Sequence, residues 1–166
     1  MKQLIKHIVL TIIIIFSVCS CFKIETYPPE PQIEFISFIM TDSVDSFENQ
    51  GLIGELRFSF IDGDGDLGFI QPGDTITESI SKTIFISAFT KISGEFVEDT
   101  GRIPLNYRIP YFESAGNNKT LKGEIIVKDI NHYPPYKGDT IKYKFYIKDR
   151  AGNKSNIEET QELVLE

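Results

Sequence analysis

The sequence predicts an all-β protein, a single antiparallel sandwich of seven to eight short strands. Three observations carry this. Apolar and polar residues alternate with period two in segment after segment. Clusters of Gly, Pro, Asn and Asp separate those segments. No segment holds a 3.6-residue apolar period over three turns.

The strands follow in order. Residues 33–40 form the first, apolar on both faces from Ile36 onward and so expected to be well buried. In 52–61, Leu56, Phe58 and Phe60 point one way and Glu55, Arg57 and Ser59 the other. In 83–91, Phe85 and Phe89 lie opposite Ile84, Ile86 and Ala88. The turn Ile92-Ser93-Gly94 leads into a short return at 95–98. Residues 105–112 alternate through Leu105, Tyr107, Ile109 and Tyr111, and Pro110 removes a backbone donor, which suits an edge. Leu121, Gly123, Ile125 and Val127 share one face of 121–130. The cleanest alternation is 140–148, with Ile141, Tyr143, Phe145 and Ile147 inward and Lys142, Lys144, Tyr146 and Lys148 outward. Residues 157–165 close the chain.

A chain of 166 residues predicts one domain. Residues 1–20 read as a signal peptide: Lys2 and Lys6, then an apolar run over 8–18 that is shorter than the roughly 20 residues of a membrane-spanning helix. Val18-Cys19-Ser20-Cys21 resembles a bacterial lipobox, and that resemblance implies lipidation at Cys21 and cleavage before it. Residues 21–31 are then the lipidated cysteine and a flexible tether, extended by Pro28, Pro29 and Pro31. Residues 32–166 are the sandwich domain. Loss of the signal removes two basic residues and no acid, so the mature chain is more acidic than the −7 of the whole. Such a charge disfavours nucleic acid and anionic headgroups, which leaves the acyl chains as the link to the membrane. Cysteine is absent after Cys21, so the domain has no internal disulfide.

The most distinctive stretch is Asp62-Gly63-Asp64-Gly65-Asp66-Leu67-Gly68, at the end of the second strand. Asp62, Asp64 and Asp66 alternate with glycines that permit a tight fold about a point. Carboxylates so spaced suit a hard cation, calcium above all. The stretch departs from an EF-hand loop, with Leu67 at the sixth position, Gly73 at the twelfth and no helical pattern on either side. Two readings stand: a calcium site in a β-domain loop, with Asp74 or Glu78 as further ligands, or a solvated turn built from ordinary turn residues.

The remaining chemistry is sparse. His132 is the one histidine after the signal, and Cys21 is consumed by lipid, so nucleophile–base pairs and zinc sites lack their parts. No glycine loop suited to phosphate is present. Tyr133, Tyr136 and outward-facing Tyr146 are candidate ligand-binding aromatics; the alternative is that the rings cover the end of the core.

Two motifs carry a family resemblance. Asp149-Arg150-Ala151-Gly152-Asn153-Lys154-Ser155 resembles the hairpin before the last strand of bacterial immunoglobulin-like domains. Together with the lipobox, Tyr27-Pro28-Pro29-Glu30-Pro31 and Phe58–Gly68, it is similar to small Bacteroidota lipoproteins. The resemblance implies an immunoglobulin-like sandwich in the cell envelope, anchored in the outer membrane by lipid. The expected function is a non-catalytic binding module with an outer-membrane protein or a glycan as partner. The alternative is a calcium-dependent hydrolase acting on glycans through acidic residues.

Overall fold

The computed structural model describes residues 3, 6, 25–44, 47–69, 82–102, 105–112, 119–132 and 139–165. Among the described residues, nine strands make two antiparallel sheets. They are β1 (Gln32–Val44), β2 (Gln50–Asp62), β3 (Ile84–Ile92), β4 (Glu95–Glu98), β5 (Leu105–Tyr107), β6 (Leu121–His132), β7 (Thr140–Ile147), β8 (Glu158–Glu159) and β9 (Leu163–Val164). The first sheet has the order β1-β2-β6. The second has the order β4-β3-β7-β8, with β5 also pairing β3 and β9 also pairing β7. The protein is thus an all-β sandwich, as its alternation predicts. Among the described residues no helix is long and apolar enough to cross a membrane.

The inner faces interlock through aromatic rings. Phe58 of β2 meets Phe145 of β7 with ring centroids 5.2 Å apart, and Phe38 of β1 stacks on Tyr143 at 5.2 Å. Leu56, Phe58, Ile141, Phe145 and Ile147 have no accessible surface. Strand β7 buries every second residue along its whole length, as its sequence demands.

Two irregularities separate the sequence pattern from the observed faces. The register of β1 against β2 shifts between Phe35 and Ser37. This bulge turns Phe38 inward on the same side as Ile33, and leaves Ile36 and Ile39 outside, 44% and 55% exposed. The expectation that β1 is buried on both faces is therefore corrected: one extra residue moves the second apolar row into solvent. Strand β6 has a similar break. Asp129 has a positive φ of 60°, opposite the register shift between Gly54 and Leu56, and Ile130 rather than residue 129 points inward beyond Val127.

The expected strand at 105–112 is ordered as a strand only over β5. Beyond it, Pro110 makes an isolated bridge with Phe69, and Ile109 is buried against the loop that follows β2. The expected last strand is interrupted by Thr160. Its Oγ1 accepts from the Tyr143 N–H at 3.0 Å and its own N–H donates to the Tyr143 carbonyl at 2.9 Å, a local loop that separates β8 from β9.

Phe58 lies in the aromatic contact between the sheets, so Phe58→Ala should cost about 3–5 kcal/mol in a denaturant unfolding measurement. Ile39→Ala, on the solvent side of β1, should cost under ~0.5 kcal/mol. Equal losses would contradict the assignment of inner and outer faces.

Candidate metal centre

The ends of the core strands bring distant loops to one pole of the sandwich. Asp62, the last residue of β2, pairs with Leu121, the first of β6. Across the sandwich, Ile84 at the start of β3 pairs with Ile147 at the end of β7, and the Lys148 N–H donates to the Thr83 carbonyl at 2.8 Å. The aspartate loop leaves β2 at this pole, and the Asp149–Asn153 turn leaves β7 there.

The aspartate loop is pinned to the core by Leu67, which has no accessible surface. That accounts for a leucine where an EF-hand has glycine: the loop needs an anchor there, not a free turn. The glycines earlier in the loop allow close approach of other chain segments. A Cβ at Gly65 would sit 1.7 Å from the Lys119 carbonyl oxygen, and Gly65 has φ +69°. A Cβ at Gly63 would sit 2.2 Å from the Pro28 carbonyl oxygen. The loop is therefore wedged between the start of β6 and the segment that enters β1.

That entering segment is fastened at its side as well. Lys122 Nζ lies 3.8 Å from the Tyr27 ring centroid, donates to the Tyr27 hydroxyl at 2.5 Å and is 3.4 Å from Glu25. The Tyr27 hydroxyl also donates to Glu25. Residues 25–28 thus lie along the aspartate loop.

Four carboxylates converge here. Asp62, Asp64, Asp66 and Asp149 each present one oxygen, and these oxygens all lie within 4.8 Å of one another. Oxygens bound to a single Ca²⁺ at about 2.4 Å are at most about 4.8 Å apart, so this spread fits the oxygen shell of a large hard cation. Asp62 has no accessible surface and Asp149 is 3% exposed. Asp62 Oδ2 accepts from the Leu67 N–H at 2.8 Å, while its Oδ1 is buried without a partner. Asp66 Oδ2 accepts from the Ala151 N–H at 3.0 Å, and its Oδ1 is likewise buried and unpartnered. Asp149 is held in place by Asn153, whose N–H and Nδ2 donate to its two oxygens at 2.7 and 2.8 Å.

Among the described residues Arg150 makes no ion pair with the cluster, and its charge offsets only part of the rise at Asp66. Its guanidinium turns to the Gly68 carbonyl at 2.9 Å and lies over the Tyr111 ring at 5.2 Å. Burial pushes the Asp62 carboxyl up from its ordinary 3.8 to about 7, and the neighbouring Asp64 and Asp66 add to the rise. Burial also raises Asp66, helped by Asp149 and Asp64. A buried carboxylate with an unpartnered oxygen needs either a proton or a cation. The arrangement can supply four anionic oxygen ligands to one ion.

The three aspartates singled out in the sequence are thus brought together. Asp149 is the member of the cluster that sequence reasoning missed. The signal was present, because its turn was itself a recognised motif, but the pairing of that turn with the aspartate loop is a tertiary fact. Asp74, Glu78, Cys21, Tyr133 and Tyr136 lie outside the described residues, and so does the His132 side chain. Tyr146 lies on the outer face of the second sheet. It stacks on Phe85 with centroids 4.9 Å apart and planes 12° apart, and Lys154 Nζ lies 3.9 Å over its ring. No family model, curated protein or solved structure matches the chain.

The raised Asp62 carboxyl sets a pH dependence with a defined sign. A group easier to protonate folded than unfolded stabilises the fold while protonated, and that contribution drains away as pH rises from about 3.8 through about 7. In chelator, Asp62→Asn should therefore gain melting temperature relative to the parent as pH rises across that window. A difference independent of pH would show that Asp62 is not a strained buried carboxyl.

Proposed function

We propose that this chain is an exported, non-catalytic binding module, lipid-anchored at the outer membrane through Cys21, whose sandwich is fastened at one pole by a calcium ion. One observation carries the cation reading: Asp62 is wholly buried, its Oδ1 has no partner, and it faces three further carboxylates. Four anionic oxygens favour a cation that accepts many oxygen ligands in flexible geometry, which is calcium rather than magnesium. The ion ties the loop after β2 to the turn after β7, and so joins the two sheets at their ends.

The lipobox ending at Cys21 and the tether over 21–31 support anchoring and display. The small set of nucleophiles and bases supports binding over turnover. The partner is an outer-membrane protein or a glycan, with Tyr133, Tyr136 and Tyr146 as its candidate aromatic contacts. Similarity to immunoglobulin-like Bacteroidota lipoproteins accords with this reading and rests on the two sequence motifs.

Calcium should raise the melting temperature of the purified chain. Binding to the folded state alone adds about 2.7 kcal/mol at a hundredfold excess over Kd. Asp64→Asn keeps the size and removes one charge; it should reduce the calcium effect and raise stability in chelator. Magnesium should do less. A melting temperature indifferent to both calcium and chelator would remove the cation from the proposal. Cys21→Ala should abolish acyl labelling and release the protein from membranes; a variant that still labels and still sediments with membranes would remove the anchor. Turnover of a glycan that depends on calcium would replace the binding module with the hydrolase.

A further inference from the structure

The two edges of the first sheet are finished differently. The β1 edge is covered by side chains from the C-terminal segment. Asn156 Oδ1 accepts from the Ile33 N–H and its Nδ2 donates to the Ile33 carbonyl, both at 2.8 Å. Glu158 accepts from the Phe35 N–H at 3.4 Å, and Gln161 Nε2 donates to the Phe38 carbonyl at 2.9 Å. These bonds satisfy backbone groups that an edge strand otherwise offers to any passing strand.

Among the described residues the β6 edge has no such hydrogen-bonded cover, and Arg108, Pro110 and Phe112 line a groove beside it. β6 pairs with β2 on one side, and among the described residues no backbone group from Lys122 to Ile130 is bonded on the other. This edge is long, and it carries Ile126 at 41% exposure in its middle. Pro is absent from it, and its register with β2 is regular from Leu121 to Val127. Such an edge is a template for one more strand.

The sequence of β6 says which strand fits. Glu124, Ile126 and Lys128 stand on the outer face, while Val127 is buried on the inner one. Place a second β6 antiparallel to the first about a two-fold axis through Ile126. Glu124 of each copy then lies opposite Lys128 of the other, Ile125 lies opposite Val127, and Ile126 meets its own counterpart. Opposite charges directly across an antiparallel pair stabilise it, and like charges there oppose it. Both charges are free to serve this role. The Glu124 and Lys128 side chains are 56% and 67% exposed, and among the described residues they make only long contacts, to Arg57 at 3.8 Å and Glu55 at 3.9 Å. Exposed pairs of that kind hold little energy. The register break at Lys128 and Asp129, with its positive φ at Asp129, limits the pairing to the segment from Glu124 to Lys128.

We infer that the β6 edge is a homodimer interface, in which two copies pair antiparallel about Ile126 to form one continuous sheet β1-β2-β6-β6-β2-β1. The interface is isologous and pairs the middle of both β6 edges. It is independent of the cation pole and of the anchoring reading.

The test is sedimentation equilibrium of the full chain in density-matched detergent, with and without charge reversal. The parent should be dimeric. Glu124→Lys sets lysine against Lys128 twice and should weaken the dimer at least tenfold. The double variant Glu124→Lys with Lys128→Glu restores both cross-strand pairs and should restore the dimer, although it restores neither contact to Arg57 nor to Glu55. Circular dichroism melts confirm that each variant is folded. A parent that stays monomeric at every concentration overturns the proposal, including one that instead captures a strand of another protein. A dimer insensitive to Glu124→Lys overturns it as well, and so does a double variant no better than the single.

Discussion

Four carboxylates at one pole impose the constraint on which this sandwich depends. Asp62 is the last residue of a core strand, and its burial follows from the same packing that buries Leu56, Phe58 and Phe60 on β2. The fold cannot expose it without unpairing β2 from β6 at Leu121. Asp149 is placed as firmly by the end of β7 and by Asn153. Hydrophobic packing of two sheets thus drives like charges together, and the electrostatic cost is met by a proton on Asp62 or by a shared cation. In the proposed calcium form, repulsion becomes ligation, and the ion links the sheets where aromatic packing no longer reaches.

The same pole receives the chain that enters the domain. Tyr27 and Pro28 pass so close to Gly63 that no side chain fits there, and Lys122 fastens Tyr27 and Glu25 beside them. If the chain is anchored at Cys21, the cation pole is the end that faces the membrane. The opposite pole, where β6 ends at His132 opposite Leu52 of β2, then faces away. The acidic cluster would act in fastening the domain to its tether, and partners would meet the sides and the distal loops.

Much of this was legible in the sequence, for physical reasons that also explain the rest. Strand β7 was readable because Ile141, Tyr143, Phe145 and Ile147 keep strict alternation on a strand flanked on both sides. Strand β1 was not, because a bulge near Ile36 swaps faces, and period-two reasoning has no sign of a one-residue insertion. The aspartate loop was visible as a local motif with its own spacing. Asp149 lies 83 positions beyond Asp66, and only the sheet pairings that set β7 against β3 across from β2 bring it there. The contrast between a covered β1 edge and a β6 edge with no hydrogen-bonded cover among the described residues was likewise beyond the sequence, since nothing in Asn156 or Gln161 shows that Ile33 and Phe38 lie beside them.

The central claim is that Asp149 completes a single cation site with the aspartate loop, and calorimetric titration of the chain with calcium tests it most directly. The account predicts one ion per chain, and a loss of at least tenfold in affinity for Asp149→Asn, a residue far in sequence from the recognisable motif. No heat of binding, or an Asp149→Asn variant that binds calcium like the parent, would contradict it.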